Sequence, residues 1–111
     1  MRTKIERLYE DKAILVVNKP ARVLTIPDRY HPEKFNLTTY LNQEYGRIWV
    51  VHRLDKDTSG VICFARTEEA HQRLSEQFEG RKVDKRYLAL VAGQPSEDEG
   101  QITPLVSLSR R

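Results

Sequence analysis

Short apolar runs alternate with polar, proline-bearing stretches along the chain. Ile14-Leu15-Val16-Val17 is a compact aliphatic run and predicts a strand over 14–17. Asn18-Lys19-Pro20 ends it, because proline brings no N–H to a ladder. Residues 19–36 are polar and hold Pro20, Pro27 and Pro32, which reads as a long functional or mobile loop. Leu37, Tyr40, Leu41 and Tyr45 fall on one side of a helix over 37–45, with Asn36 as its cap and Gly46 at its end. Trp49-Val50-Val51 predicts a strand that runs into polar turn formers at 55–60, and Val61-Ile62-Cys63-Phe64-Ala65 resumes as another. Thr67 caps a second helix, with Glu68 and Glu69 complementing its dipole and Ala70, Leu74 and Phe78 forming its apolar stripe up to Gly80. Residues 87–92 predict a strand closed by Gly93-Gln94-Pro95, and a further strand is expected over 102–106.

The order that emerges is strand, strand, helix, strand, strand, helix, strand, with no bounds assigned to the first strand. Strands that follow one another directly favour an α+β fold over a doubly wound one: a mixed, mainly antiparallel sheet with packed helices. The 111 residues suit one domain, 1–111. Charged residues make up 32%, and no stretch approaches the roughly 20 apolar residues of a membrane helix. The N-terminus lacks an apolar signal core, and Cys63 is the only cysteine, so neither an intrachain disulfide nor a thiolate metal cluster is available. A cytoplasmic protein without membrane, metal or cofactor is the expectation.

Nineteen Lys+Arg against 16 Asp+Glu give +3, compatible with nucleic acid and with many other partners. Arg81, Lys82, Lys85 and Arg86 cluster, as a solvated face or as a phosphate patch. Candidate chemistry concentrates in residues 52–60, a turn between two strands at a sheet end. His52, Asp55 and Ser59 supply the residue types of a nucleophilic triad, but Ser59 lacks the Gly-x-Ser-x-Gly elbow. Asp55 and Asp57 are two apart and share a face if extended, yet no third oxygen ligand stands at metal-binding spacing. A plain polar turn, with Asp57 and Thr58 bonding local backbone, is the remaining reading from composition.

The segment His52-Arg53-Leu54-Asp55-Lys56-Asp57-Thr58-Ser59-Gly60 resembles the H-R-L-D-x-x-T-S-G signature of the RluA-like RNA pseudouridine synthases at all seven fixed positions. Val17-Asn18-Lys19-Pro20-Ala21 is similar to an upstream element of that family, and Phe64-Ala65-Arg66-Thr67 follows at the expected place. Lys85-Arg86-Tyr87-Leu88-Ala89-Leu90-Val91 is similar to its K-x-Y-x-A-x-V strand. The resemblance runs from about Ile5 to Gly93, and more loosely to Pro104.

The resemblance implies a pseudouridine synthase-like fold and conversion of uridine in rRNA or tRNA to its C5-linked isomer, without a cofactor. It maps the catalytic carboxylate onto Asp55. An aspartate in water has a pKa of ~3.9 and can meet positive charge building at an anomeric carbon. Attack on the sugar and removal of a ribose proton both remain open. Arg53 is expected to fill the space left by the flipped base, or else to be a surface charge. Tyr87 is expected to stack on the uracil and assist proton transfer from C5, or else to pack in the core. His52 is expected to orient the loop at the RNA site. Lys19 with Arg22 and Arg29, and Lys85 in the later cluster, are candidates for RNA phosphate, with solvated positions as the alternative.

Two departures from the family pattern stand out. Arg22 occupies a position where the family usually has glycine, so a positive φ there would carry strain. The family's catalytic domains also extend past residue 111, so the sequence reads as the N-terminal part of an incomplete domain with no separate S4-like segment. It could need a missing C-terminal half or a second chain, or act as a catalytically inactive RNA-binding module.

Overall fold

A computed structural model describes residues 4–101. Its centre is a four-stranded sheet in the order β1-β2-β4-β3, with β1 Glu6–Glu10, β2 Ile14–Lys19, β3 Trp49–Val50 and β4 Gly60–Ala65. All three strand pairings are antiparallel. Helices α1 Leu37–Tyr45 and α2 Glu68–Glu79 complete the α+β arrangement. β1 fills the first place in the expected order. It forms a hairpin with β2 around Asp11, whose Oδ1 accepts from the N–H groups of Ala13 and Ile14, both at 2.8 Å.

Strand alternation sorts the two faces of the sheet. Leu15, Val17, Ile62 and Phe64 point to one face and are buried with Leu37 and Leu41 of α1, together with Ile5, Ile48 and Leu54. That cluster is the core. Cys63 and Ala65 point to the other face, where α2 lies against β3 and β4. The cover is incomplete there, because Val61 at the start of β4 stays 63% exposed.

Both helices begin where side-chain chemistry places them. Asn36 accepts from the Thr39 N–H at 2.9 Å and Thr67 from the Ala70 N–H at 3.0 Å, each relieving an orphan donor of a first turn. α2 ends in a Schellman-type closure, with Lys82 N–H bonded to Gln77 O and Arg81 N–H to Phe78 O. The left-handed residue of that closure is Arg81, at φ 57°, rather than the preceding Gly80.

Two strand expectations are corrected. β2 continues through Asn18 to Lys19 instead of stopping at Val17, since Lys19 pairs in register with Gly60. Residues 87–92 form no strand among the described residues. Leu88 and Leu90 are fully exposed and Val91 is 61% exposed. The segment has strand composition but no neighbouring strand, and an isolated strand leaves both its ladder groups and its apolar side chains in water. The strand expected over 102–106 lies outside the described residues.

Candidate active site

Asp55 sits in the turn between β3 and β4. Its carbonyl accepts from the Thr58 N–H at 3.0 Å, closing a four-residue turn with Lys56 and Asp57 at the tip. The chain returns to β4 through Gly60 at φ 137°, a region closed to L side chains. No atom lies within 4 Å of where a Cβ would stand, so conformation rather than space demands glycine there.

The turn is held in place through its backbone carbonyls. Thr25 is buried, and its hydroxyl donates to Leu54 O at 3.1 Å. The Arg22 N–H donates to Lys56 O at 2.7 Å, and Lys19 Nζ donates to the same oxygen at 3.0 Å. Leu54 anchors the turn in the core. The clamp continues backwards: Thr25 O accepts from both the N–H and the hydroxyl of Thr38 in α1. The loop at 19–36 is therefore ordered at its start and finish, bracing the Asp55 turn against the first turn of α1.

Lys19 is the main correction to the expected site. It is fully buried, and its ammonium donates to Val23 O at 2.6 Å, Lys56 O at 3.0 Å and Pro20 O at 3.1 Å. An ammonium has three protons to give, so none remains for an RNA phosphate. Burial pushes its pKa down, and the carboxylates of Asp57 and then Asp55 push it back up. Lys19 thus ties two loops together and brings positive charge within electrostatic reach of both aspartates. The period of two in β2 carried the signal: Leu15, Val17 and Lys19 share one face, and that face is the core.

His52 lies below the turn. Its Nε2 accepts from the Cys63 N–H at 3.0 Å, and its ring stacks on Phe78 of α2 with centroids 4.4 Å apart. Burial, followed by the Lys85 ammonium, holds its pKa below the ordinary histidine value. A neutral ring is the form that can accept this bond. Lys85 Nζ lies 5.6 Å from the centroid of the Phe78 ring, so this expected RNA contact is placed beside an aromatic stack, with an exposed side chain. Burial also raises the pKa of the Cys63 thiol, which keeps it protonated and unreactive.

Arg53, Asp55 and Lys56 are exposed and share a cleft of about 390 Å³ with Leu24, Thr25, Ile26 and Leu54. Tyr87 does not line that cleft; it lies 62% exposed in the unpaired 87–92 segment. A larger cleft, about 490 Å³, opens at the opposite end of the sheet around Glu10, Asp11, Lys12, Tyr45, Arg47 and Arg66. Its central cation is already used: Arg66 bonds Glu10 at 2.8 Å, Asp11 O at 2.9 Å and Tyr45 O at 3.3 Å. Among the described residues no group of three or more His, Cys, Asp or Glu side chains could hold a metal ion. No helix there is long and apolar enough to cross a membrane.

Residues 13–110 match the family model described as RNA pseudouridylate synthase. The chain belongs to the RNA pseudouridylate synthase family. It is 43% identical over 100 residues to the dual-specificity RNA pseudouridine synthase RluA of Escherichia coli K12, covering 89% of this chain and 46% of that protein. The Vibrio vulnificus protein of the same name is 40% identical over 102 residues, covering 91% of this chain and 41% of its own length. The chain thus spans less than half the length of these relatives. Among solved structures, human RNA pseudouridylate synthase domain containing 1 superposes with a TM-score of 0.59 at 26% identity, covering 70% of this chain and 29% of that one. Human RNA pseudouridylate synthase domain containing 4 gives 0.55 at 26% identity, over 69% and 30%. Within the pseudouridylate synthase frame, the conspicuous polar turn of this chain is the one that bears Asp55.

Proposed function

We propose that the chain carries the catalytic aspartate, Asp55, of an RNA pseudouridine synthase acting on uridine in rRNA or tRNA. One observation carries the reading. Asp55 is exposed in a cleft, on a turn whose neighbouring carbonyls are pinned by Thr25, Arg22 and Lys19. A rigid base beneath an accessible carboxylate is what positioning chemistry requires.

The reaction breaks the N1–C1′ bond and forms a C5–C1′ bond on the same ribose. The uracil gains a proton at N1 and loses the one at C5, so atoms balance without an oxidant or a second substrate. The sugar carbon becomes electron-poor as N1 departs, and a carboxylate can meet that charge or bond to the carbon. Lys19 places its ammonium near the turn, bonded to three backbone carbonyls and within electrostatic reach of Asp57 and Asp55. The target base must leave its stack to reach Asp55, and Arg53, on the cleft rim, would fill the vacated space. The part proposed for Tyr87, a ring against the uracil, requires its segment to move to the cleft from its exposed position.

The test is tritium release from C5-labelled uridine in rRNA and tRNA transcripts. The chain is expected to release tritium and Asp55→Asn to release none. Equal release by both would remove Asp55 from the chemistry. No release by either would leave an RNA-binding module without activity.

A further inference from the structure

Two residues other than glycine adopt the left-handed backbone region among the described residues, and both are arginines. Arg22 has φ 70° and Arg81 has φ 57°. An L side chain in this region is strained, and glycine relieves the strain at once; asparagine is the next choice. A long cation is an odd occupant unless its side chain has a use. Neither arginine uses it inside the molecule. Both are exposed, so packing does not account for them. Neither has a carboxylate partner or an aromatic ring beneath its guanidinium among the described residues.

Each is linked to the Asp55 turn, Arg22 directly and Arg81 through Phe78 and His52. The Arg22 N–H holds Lys56 O, next to Asp55. Arg81 closes α2 by bonding Phe78 O, and the Phe78 ring stacks on His52 at the start of the Asp55 turn. Arg53 and Lys56 of that turn are exposed and likewise without an ion-pair partner among the described residues. Backbone strain gathers where a function requires it, and the inference runs from the observed outlier to the role.

We propose that Arg22 and Arg81 each contact a phosphate of the RNA strand on either side of the uridine delivered to Asp55. The proposal rests on the RNA pseudouridine synthase reading. A guanidinium fork grips phosphate through paired N–H groups, and such contacts set the strand's register without reading its sequence. Each strained position exchanges some folding stability for one released counterion on binding.

That exchange gives an unusual signature: glycine should stabilise the protein and weaken its binding. The experiment measures binding of the 111-residue chain to a fluorescent stem-loop RNA with uridine in its loop, across a range of salt concentrations, beside thermal unfolding. Arg22→Gly and Arg81→Gly are each expected to raise Tm. Each should lower affinity several-fold at low salt and flatten the slope of log affinity against log salt by roughly 0.7–0.9. Arg22→Lys should keep the slope. An unchanged slope in either glycine variant would overturn the proposal for that arginine, and failure of the parent chain to bind the RNA would overturn it for both. Tritium release with Asp55→Asn in parallel separates the two readings. Flattened slopes without isomerisation would sink the enzyme and keep the arginines; isomerisation with unchanged slopes would do the reverse.

Discussion

The two ends of the sheet spend their charges differently. Strands β2 and β4 run side by side for six residues, roughly 17 Å, from the pair Ile14–Ala65 to the pair Lys19–Gly60. At the Ala65 end, Arg66 is committed to Glu10, Asp11 O and Tyr45 O, and Arg47 lies over the Trp49 ring at 4.6 Å. Trp49 in turn stacks on His71. At the Gly60 end the buried Lys19 is committed to carbonyls, while Arg22, Arg53 and Lys56 stand exposed around Asp55 without an ion-pair partner among the described residues. The first end pairs its charges internally; the second presents cations and a carboxylate to solvent. The cleft at the first end is the larger, about 490 Å³ against about 390 Å³.

Lys19→Met breaks this contrast most severely. It leaves the carbonyls of Pro20, Val23 and Lys56 without their common donor and removes the positive charge beside Asp57 and Asp55. Unfolding in urea is expected to show a loss of about 3 kcal/mol, in the range for losing charged hydrogen bonds from a buried site. Isomerisation should fall further than the folded fraction does. Arg66→Ala is the counterpart. It should cost about 1–2 kcal/mol, since its ion pair is only partly buried, and leave the salt dependence of RNA binding unchanged. A change in that dependence would show that the Ala65 end also meets RNA.

Gly60→Ala is expected to cost about 1–2 kcal/mol through strain at φ 137°, with a larger loss of turnover than of RNA affinity because the Asp55 turn shifts. Ordinary stability in that variant would mean the turn is not the tight anchor described. The mildest effect concerns pH. The folded protein holds the pKa of His52 below its unfolded value of about 6.5, so folding excludes protons that the unfolded chain takes up. The stability tied to neutral His52 is present above that value and declines as pH falls below it through the folded value. Asp11 and Asp28 have lowered pKa values, so their contribution persists until pH falls below about 3.8, the ordinary value for these carboxylates. A shallow decline in the urea midpoint as pH falls below about 6.5 should therefore disappear in His52→Gln, whose amide oxygen can still accept from Cys63.

Local chemistry made much of this architecture legible. Asn36 and Thr67 marked the helix starts because a cap is a contact three residues long, and the polar run after Trp49-Val50 marked the turn of Asp55. Arg22, where the family usually has glycine, left open whether the site needs a positive φ, and the backbone there does adopt one, at φ 70°. What failed depended on distant partners. Residues 87–92 have a strand's composition, but composition does not supply a neighbour, and Leu88 and Leu90 remain in solvent. Charge alone makes Lys19 a loop cation, since charged residues usually lie at the surface. Its burial depends on three carbonyls, one of them 37 residues away. Nor did spacing suggest that Phe78 would stack on His52, since that contact arises only when α2 folds back over the sheet.

The contrast between the two ends is tested most directly by titrating the loop-uridine RNA into the isotope-labelled chain and following backbone amide resonances. Changes are expected at Arg22, Thr25 and 53–58, with Asp11, Arg47 and Arg66 unmoved. Changes centred on Arg66 and the 490 Å³ cleft, or spread evenly over both ends, would contradict the assignment of the Asp55 end as the face that receives RNA.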